Sequence, residues 1–426
     1  MTTASSEKLA FINRSSDLSE LNFKKNLPLK VLLLENIHPL ALDLFRQDGF
    51  EVELLKGALP EDELIQKIQD VHVLGIRSKT QVTSKVIENA RSLLAIGAFC
   101  IGTNQIDLAA AKTRGIPVFN APFGNTRSVA EMMIAEIIML SRQLGQRSME
   151  MHQKVWKKIS THCHEVRGKT LGIIGYGHIG SQVSTLAEAL GMRVIFHDIL
   201  SKLPLGNARP ANGLENLLKE SDFVTLHVPG TPQTKNMMGP NQFALMKKGA
   251  CLINASRGTV VQIPALVSAL KSGHLSGAAI DVFPEEPENN TDDYVTELQG
   301  LSNVILTPHI GGATEEAQAN IGEEVPTTLI RYVRSGSTNG AVNFPHVDVA
   351  MTQGVHRILN VHRNVPGVLR DVTKIVSDLG ANISAQSLAT EGDIGYLVLD
   401  TDQALSMDVM KRIDELKTSI LTRVLY

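Results

Sequence analysis

The first long apolar run of the chain is Leu29–Leu34, LKVLLL, broken only by Lys30. A run this short, apolar on both alternating faces, predicts a parallel strand buried on two sides. Segments at helical spacing and short apolar runs then alternate. Helices are predicted at His38–Gln47, Glu61–Gln69, Ser84–Ala90 and Ile106–Ala111, and strands at Val52–Leu55, Val71–Ile76, Leu93–Ile96 and Val118–Asn120. Alternation of this kind predicts a parallel α/β sheet. Ser128–Leu144 is apolar nearly all round, which predicts a buried helix, and Ser128 with Glu131 predicts a capping box at its start. A second, more polar helix is predicted at Met151–Lys158, around the single tryptophan, Trp156.

The rhythm resumes in Thr170–Asp198. An apolar strand, Leu171–Ile174, meets a turn holding Gly175, Gly177 and Gly180. A helix follows with Ile179, Val183, Leu186 and Leu190 on one face, then a strand, Val194–Phe196, that ends at Asp198. Further strands are predicted at Phe223–Val228, Ala250–Ala255, Gly277–Val282 and Val304–Thr307, with helices at Pro240–Met246 and Pro264–Leu270. The long pattern Thr314–Val333 predicts a helix that returns the chain to the first domain, which is therefore expected to be discontinuous. Loop composition at Ser335–Gly340, SGSTNG, marks a boundary. Beyond it the predicted order is strand His356–His362, helix Gly367–Leu379, strands Ile383–Ala389 and Gly395–Asp400, helix Ala404–Leu416 and strand Leu421–Leu425, the split βαβ pattern.

Composition narrows the classes. A chain of 426 residues is too long for one ordinary core, so two or three domains are expected. The net charge of −3 gives no sign of nucleic-acid or membrane binding. No apolar run approaches a membrane span. Cys100, Cys163 and Cys251 are scattered, which suits a reducing compartment, and no metal-ligand spacing appears, so no metal is expected. The polar stretch at residues 1–25 lacks the apolar core of a signal peptide and is expected to be a mobile leader.

The glycine turn supplies the candidate chemistry. Gly175, Gly177 and Gly180 have the G-x-G-x-x-G spacing between a strand and a helix, with an acid about 20 residues on. The first glycine allows the tight turn, the second lets backbone approach a pyrophosphate, and the third lets helix and strand pack closely. Asp198 can accept from a ribose diol and disfavours a 2′-phosphate, so NAD is expected over NADP. Three polar motifs follow late strands directly: NASRG at Asn254–Gly258, DVFPEEP at Asp281–Pro287 and TPHIGG at Thr307–Gly312. Ligands bind at such strand ends. His309 can exchange a proton with a substrate oxygen, Glu286 can orient and charge its ring, and Arg257 can fork a carboxylate.

The set GYGHIG, NASRG, DVFPEEP and TPHIGG resembles the D-isomer-specific 2-hydroxyacid dehydrogenase family over roughly Leu29 to Pro345. GIRSKT at Gly75–Thr80, NAPFGN at Asn120–Asn125 and HDILSKLPLGNA at His197–Ala208 resemble its members that oxidise 3-phospho-D-glycerate. VHRNVPGVL at Val361–Leu369 resembles an ACT regulatory domain of the serine-binding type. The resemblance implies an α/β protein in which a Rossmann-type doubly wound nucleotide domain, 126–311, is inserted in a flavodoxin-like substrate domain, 26–125 and 312–350. A βαββαβ ferredoxin-like ACT domain, 355–426, would follow. It implies Arg257, Glu286 and His309 as catalytic residues. It implies cofactor contacts at Gly175, Gly177, His178, Ile179, Gly180, Asp198, Ala255, Ser256, Arg257, Asp281, His309, Ile310, Gly311 and Gly312.

Substrate contacts are implied at Lys56, Arg77, Ser78, Lys79 and Asn125, with Lys79 standing where relatives often carry Arg. His362, Asn364 and Asn382 are implied as an L-serine site, coupled through the linker VDVAMTQG at Val347–Gly354. The implied function is NAD-dependent oxidation of 3-phospho-D-glycerate to 3-phosphohydroxypyruvate, entering serine synthesis, in a cytoplasmic homotetramer inhibited by L-serine. Reduction of 2-oxoglutarate to 2-hydroxyglutarate is a further expectation. Two alternatives stay open: another 2-hydroxyacid as substrate, or an NADH-sensing protein like the corepressors related to this family.

Overall fold

The computed structural model describes residues 28–287, 293–351 and 354–426. The expected leader at 1–25 lies outside them, as do residues 352–353 of the linker. The chain divides into two compact units: one holds the chain up to Pro122 together with Ala319–Tyr426, the other is Phe123–Gln318.

The first unit contains a five-stranded parallel sheet of β1 (Lys30–Leu33), β2 (Glu51–Leu54), β3 (Val73–Ile76), β4 (Ala95–Ala98) and β5 (Val118–Phe119), in the order β2-β1-β3-β4-β5. That is the flavodoxin-like order. The unbroken apolar run of the first strand has a direct cause. Val31 and Leu33 face a core with Phe45, Val325 and Leu329, while Leu32 and Leu34 face another with Leu64, Ile68 and Val86. Val325 and Leu329 belong to the helix Glu315–Ser335, which lies so close to β4 that a Cβ at Gly97 would meet both side chains at 2.7 Å.

The same unit holds an antiparallel sheet of β13 (His356–Arg363), β14 (Ile383–Glu391), β15 (Ile394–Thr401) and β16 (Ser419–Leu425), ordered β14-β15-β13-β16. Its two helices, Val368–Asp378 and Ser406–Asp414, cover Ile358, Leu397, Leu399 and Val424 on one face. The other face, with Leu359, Val361, Tyr396 and Leu421, shares a core with Phe119, Tyr332 and Phe344. The carbonyls at the end of helix Glu315–Ser335 are taken up by this sheet. Arg357 donates to Ser335 O and Arg423 to Tyr332 O, both at 3.0 Å, and the Tyr396 hydroxyl donates to Gly336 O at 2.6 Å. Arg357 also donates to Val349 O and Ala350 O and forms a buried two-bond pair with Asp400, at 2.6 and 2.8 Å. The C-terminal sheet is therefore docked by a shared core and a buried arginine, in addition to the linker.

The second unit is built on a seven-stranded parallel sheet of β6 (Thr170–Ile174), β7 (Arg193–His197), β8 (Arg209–Pro210), β9 (Phe223–Leu226), β10 (Ala250–Asn254), β11 (Leu275–Ile280) and β12 (Val304–Leu306). Its order, β12-β11-β10-β9-β6-β7-β8, is doubly wound, with the switch point between β6 and β9. Three local expectations are corrected. The helix after the first unit starts at Thr126, without a capping box: Ser128 donates to Gly311 O at 2.6 Å and Glu131 pairs with Arg127. It buries one stripe, including Val129, Met133, Ile137 and Leu140, and leaves Arg127 and Glu131 exposed. The second helix is Leu144–His152, not Met151–Lys158. Left-handed Gln143 lets it follow directly on the first, and left-handed Lys154 lies just beyond its end, leaving Trp156 80% exposed.

Candidate active site

The nucleotide cradle is shaped by what each glycine permits. Gly175 has φ +92, and a Cβ there would strike the His227 carbonyl oxygen; at Gly180 it would strike the Gly175 carbonyl oxygen. At Gly177 it would meet nothing within 4 Å, so this is the open side of the turn. Helix His178–Ala189 starts there with no side-chain cap, leaving its first N–H groups to an anion. His178 is exposed, its ring edge-on to Phe123 at 4.5 Å, and Ile179 is half-buried. Asp198 ends β7 and accepts from Tyr176 N at 2.8 Å and Leu200 N at 2.9 Å. Each carboxylate oxygen keeps further lone pairs for a ribose diol. An open glycine, an uncapped helix start and an acid at the second strand's end fit a dinucleotide.

The three polar motifs converge beyond β10, β11 and β12. Asn254 ends β10 and folds its own loop: Oδ1 accepts from Ser256 N and Oγ, and Nδ2 donates to Arg257 O. This turn leaves Ala255 half-buried, Ser256 buried and Arg257 partly exposed, its guanidinium donating to Ser256 O at 2.6 Å. Asp281, just past β11, is buried. It accepts from Thr307 Oγ1, Ile310 N and Gly311 N at 2.7 to 2.9 Å, so it fastens the loop carrying His309, Ile310, Gly311 and Gly312. His309 itself has φ +54, a left-handed conformation uncommon outside glycine.

His309 Nδ1 lies 2.7 Å from Glu286 Oε2, while Glu286 Oε1 accepts from Phe283 N. The bond to Glu286 raises the histidine's pKa above its ordinary value, against the lowering effect of burial; the Glu286 and Asp281 charges raise it further and Arg257 opposes them. For Glu286, burial acts upward, but the His309 and Phe283 hydrogen bonds and the His309 and Arg257 charges together hold it below the usual carboxylate range. In the neutral ring, a proton on Nδ1 satisfies this bond to the carboxylate and leaves Nε2 as the nitrogen able to take a proton. Asn125 lies beside this loop, its Nδ2 where a Cβ on Gly312 would be 2.7 Å away. Its Oδ1 is buried without a partner among the described residues.

The remaining substrate candidates lie in the first unit. Lys56 is exposed after β2; Ser78 and Lys79 are exposed and Arg77 half-buried after β3. Glu35, after β1, was not among the candidates. Its Oε1 accepts from Arg77 N at 3.1 Å and Thr80 N at 2.8 Å, and its Oε2 from Lys79 N at 2.9 Å. Gln105 adds a bond to Arg77 O at 2.6 Å.

The effector candidates occupy distinct settings in the C-terminal sheet. His362 is buried, 3.1 Å from Asn360 Oδ1, and burial lowers its pKa. Asn364 donates to Gly392 O, and Asn382 N donates to Asp402. The three make no hydrogen bond to one another among the described residues. Asn360, which the sequence did not single out, links Ser419 and Thr422 beside His362.

Residues 134–311 match the model of the D-isomer specific 2-hydroxyacid dehydrogenase NAD binding domain, and 358–420 that of an AHAS small subunit-like ACT domain. The chain is 57% identical over 398 residues to D-3-phosphoglycerate dehydrogenase of Dictyostelium discoideum, covering 93% of this chain and 97% of the relative. It is 52% identical to the enzyme of that name from Escherichia coli (strain K12), covering 93% and 98%. Among solved structures it resembles D-lactate dehydrogenase from Aquifex aeolicus, complexed with NAD and lactic acid. There the identity is 28% and the TM-score 0.64, over 74% of this chain and 99% of that one.

Proposed function

The chain belongs to the D-isomer-specific 2-hydroxyacid dehydrogenase family, and on that premise we propose how its residues oxidise 3-phospho-D-glycerate to 3-phosphohydroxypyruvate with NAD. The observation that carries the proposal is the His309–Glu286 pair at 2.7 Å, fastened through Asp281 to the end of the nucleotide sheet. The glycine turn and Asp198 would hold NAD, which would supply the acceptor for the hydride on C2 of the substrate. His309 Nε2 takes the hydroxyl proton, and Glu286 stabilises the imidazolium that results. Arg257 forks the substrate carboxylate and polarises the adjacent carbon–oxygen bond. Asp281 keeps the histidine loop in place, Asp198 selects the ribose diol, and Asn125, beside that loop, is a contact of the substrate. Arg77, Ser78, Lys79 and Lys56 grip the phosphate. The same cations suit a second carboxylate, so slow reduction of 2-oxoglutarate to 2-hydroxyglutarate is included. A binding protein without turnover is set aside, because the relatives at 57% and 52% identity are dehydrogenases.

We further propose that L-serine binds the ACT sheet near His362, Asn364 and Asn382 and inhibits the enzyme, in a homotetramer of the cytoplasm. The three residues make no hydrogen bond to one another within one chain, and a second copy is proposed to complete the site. No helix among the described residues is long and apolar enough to cross a membrane. Calorimetry with L-serine on wild type and Asn364→Ala, with light scattering for assembly, tests this. Serine heat lost in the variant supports the site, and no heat in the wild type removes it.

A further inference from the structure

Glu35 stands at the junction of both loops that carry the candidate phosphate-binding cations. It lies just past β1, beyond Leu34, is 8% exposed, and has φ +66; Asn36 beside it has φ +52. Two successive left-handed residues that are not glycine mark a backbone held by its surroundings. What holds it is visible on both sides. Glu35 N donates to Gly57 O and Asn36 N to Leu55 O, at 3.1 and 3.2 Å, bracketing Lys56. The Glu35 carboxylate accepts from the backbone N–H groups of Arg77, Lys79 and Thr80. One residue thus ties the Lys56 loop to the Arg77–Thr80 loop, backbone to one and side chain to the other.

This arrangement has a chemical consequence. Loops that bind anions often do so with backbone N–H groups. Here three of those groups point inward to a carboxylate, so they cannot serve the ligand. An anion outside the loop must then be gripped mainly by the side chains of Arg77, Ser78, Lys79 and Lys56. A negative charge behind that site repels a dianionic phosphate, so its presence is disadvantageous unless loop shape matters more.

We propose that Glu35 is a positioning residue for the substrate's phosphate, setting the Lys56 and Arg77–Lys79 cations in one fixed array. This rests on the reading of those side chains as the phosphate grip. The test is steady-state kinetics of the full-length enzyme with Glu35→Gln, Glu35→Asp and Arg77→Ala. Glu35→Gln keeps the volume, removes the charge, and sets an amide N–H against Lys79 N. The loss of a hydrogen bond to a charged group is expected to raise KM for 3-phosphoglycerate about tenfold. The KM for NAD and NADH affinity stay near wild type, since those residues lie in the other unit. Glu35→Asp keeps the charge but is one methylene short, and is expected to raise KM similarly.

The competing electrostatic effect predicts the opposite sign. A KM that falls or holds in Glu35→Gln, while Arg77→Ala raises it, overturns the proposal. An unchanged KM in Arg77→Ala overturns the phosphate grip itself, and the proposal with it. NADH binding by each variant verifies that it has folded.

Discussion

Glu136 offers a prediction whose size follows from its surroundings. It sits in the buried stripe of helix Thr126–Arg142, 4% exposed, and neither carboxyl oxygen has a hydrogen-bond partner among the described residues. Burial pushes its pKa from 4.5 up to about 8, and the nearby Asp281 charge pushes in the same direction. At neutral pH it is therefore protonated in the fold and ionised in the unfolded chain. A group with a raised carboxyl pKa leaves stability intact below its unfolded value, and stability is lost as pH rises towards the folded value. The loss is about 1.4 kcal/mol per pH unit, so at pH 7 it amounts to about 3 kcal/mol relative to pH 4.5. Glu136→Gln is neutral at every pH and close in shape to the protonated acid. Its melting temperature should match wild type near pH 5 and exceed it by several degrees at pH 8. All other titrating groups are common to both proteins and cancel in the difference. The assay is paired thermal melts from pH 5 to pH 8, with turnover at pH 7 expected to stay close to wild type. A difference in melting temperature that does not change with pH would refute the reasoning, because Glu136 would then be ionised in the fold.

His309→Ala should cut turnover by roughly 10²–10⁴-fold with NADH affinity retained. Glu286→Gln should cost less. Because Glu286 raises the histidine's pKa and oxidation needs the neutral ring, the acid limb of the oxidation profile should move to lower pH. Asp198→Ala should weaken NAD and narrow its preference over NADP, read by titration with both cofactors; unchanged binding would place the carboxylate away from the ribose. Asp400→Asn leaves Arg357 buried without its charge partner, a loss of about 3–5 kcal/mol. It should free the C-terminal sheet and expose the linker to limited proteolysis.

Much of this architecture is written in local pattern. Strands such as Leu32–Leu34 and Ile173–Ile174 are apolar because both their faces are covered, and a run of that kind reads directly from the chain. β8 does not, because it is two residues long, at a sheet edge, and includes Pro210. The short helix Leu214–Glu220 starts on a left-handed glycine without a side-chain cap and gives almost no signal. The motifs holding the candidate catalytic residues were legible because each follows a strand that presents it. Glu35 was not, since an acid after a strand reads as solvated. Its partners lie 42 to 45 residues away, and only the β1–β3 pairing brings them to it. Arg357 was invisible for a similar reason: within a strand pattern it looks exposed, and its burial depends on carbonyls supplied by another part of the unit.

The central claim is tested most directly by the rate of NADH formation from NAD and 3-phosphoglycerate, measured side by side for wild type and His309→Ala. The account predicts ready turnover by wild type, at least about a hundredfold less by the variant, and equal NADH binding by both. Near-normal turnover by His309→Ala, or equal use by wild type of a 2-hydroxyacid without the phosphate, would contradict it.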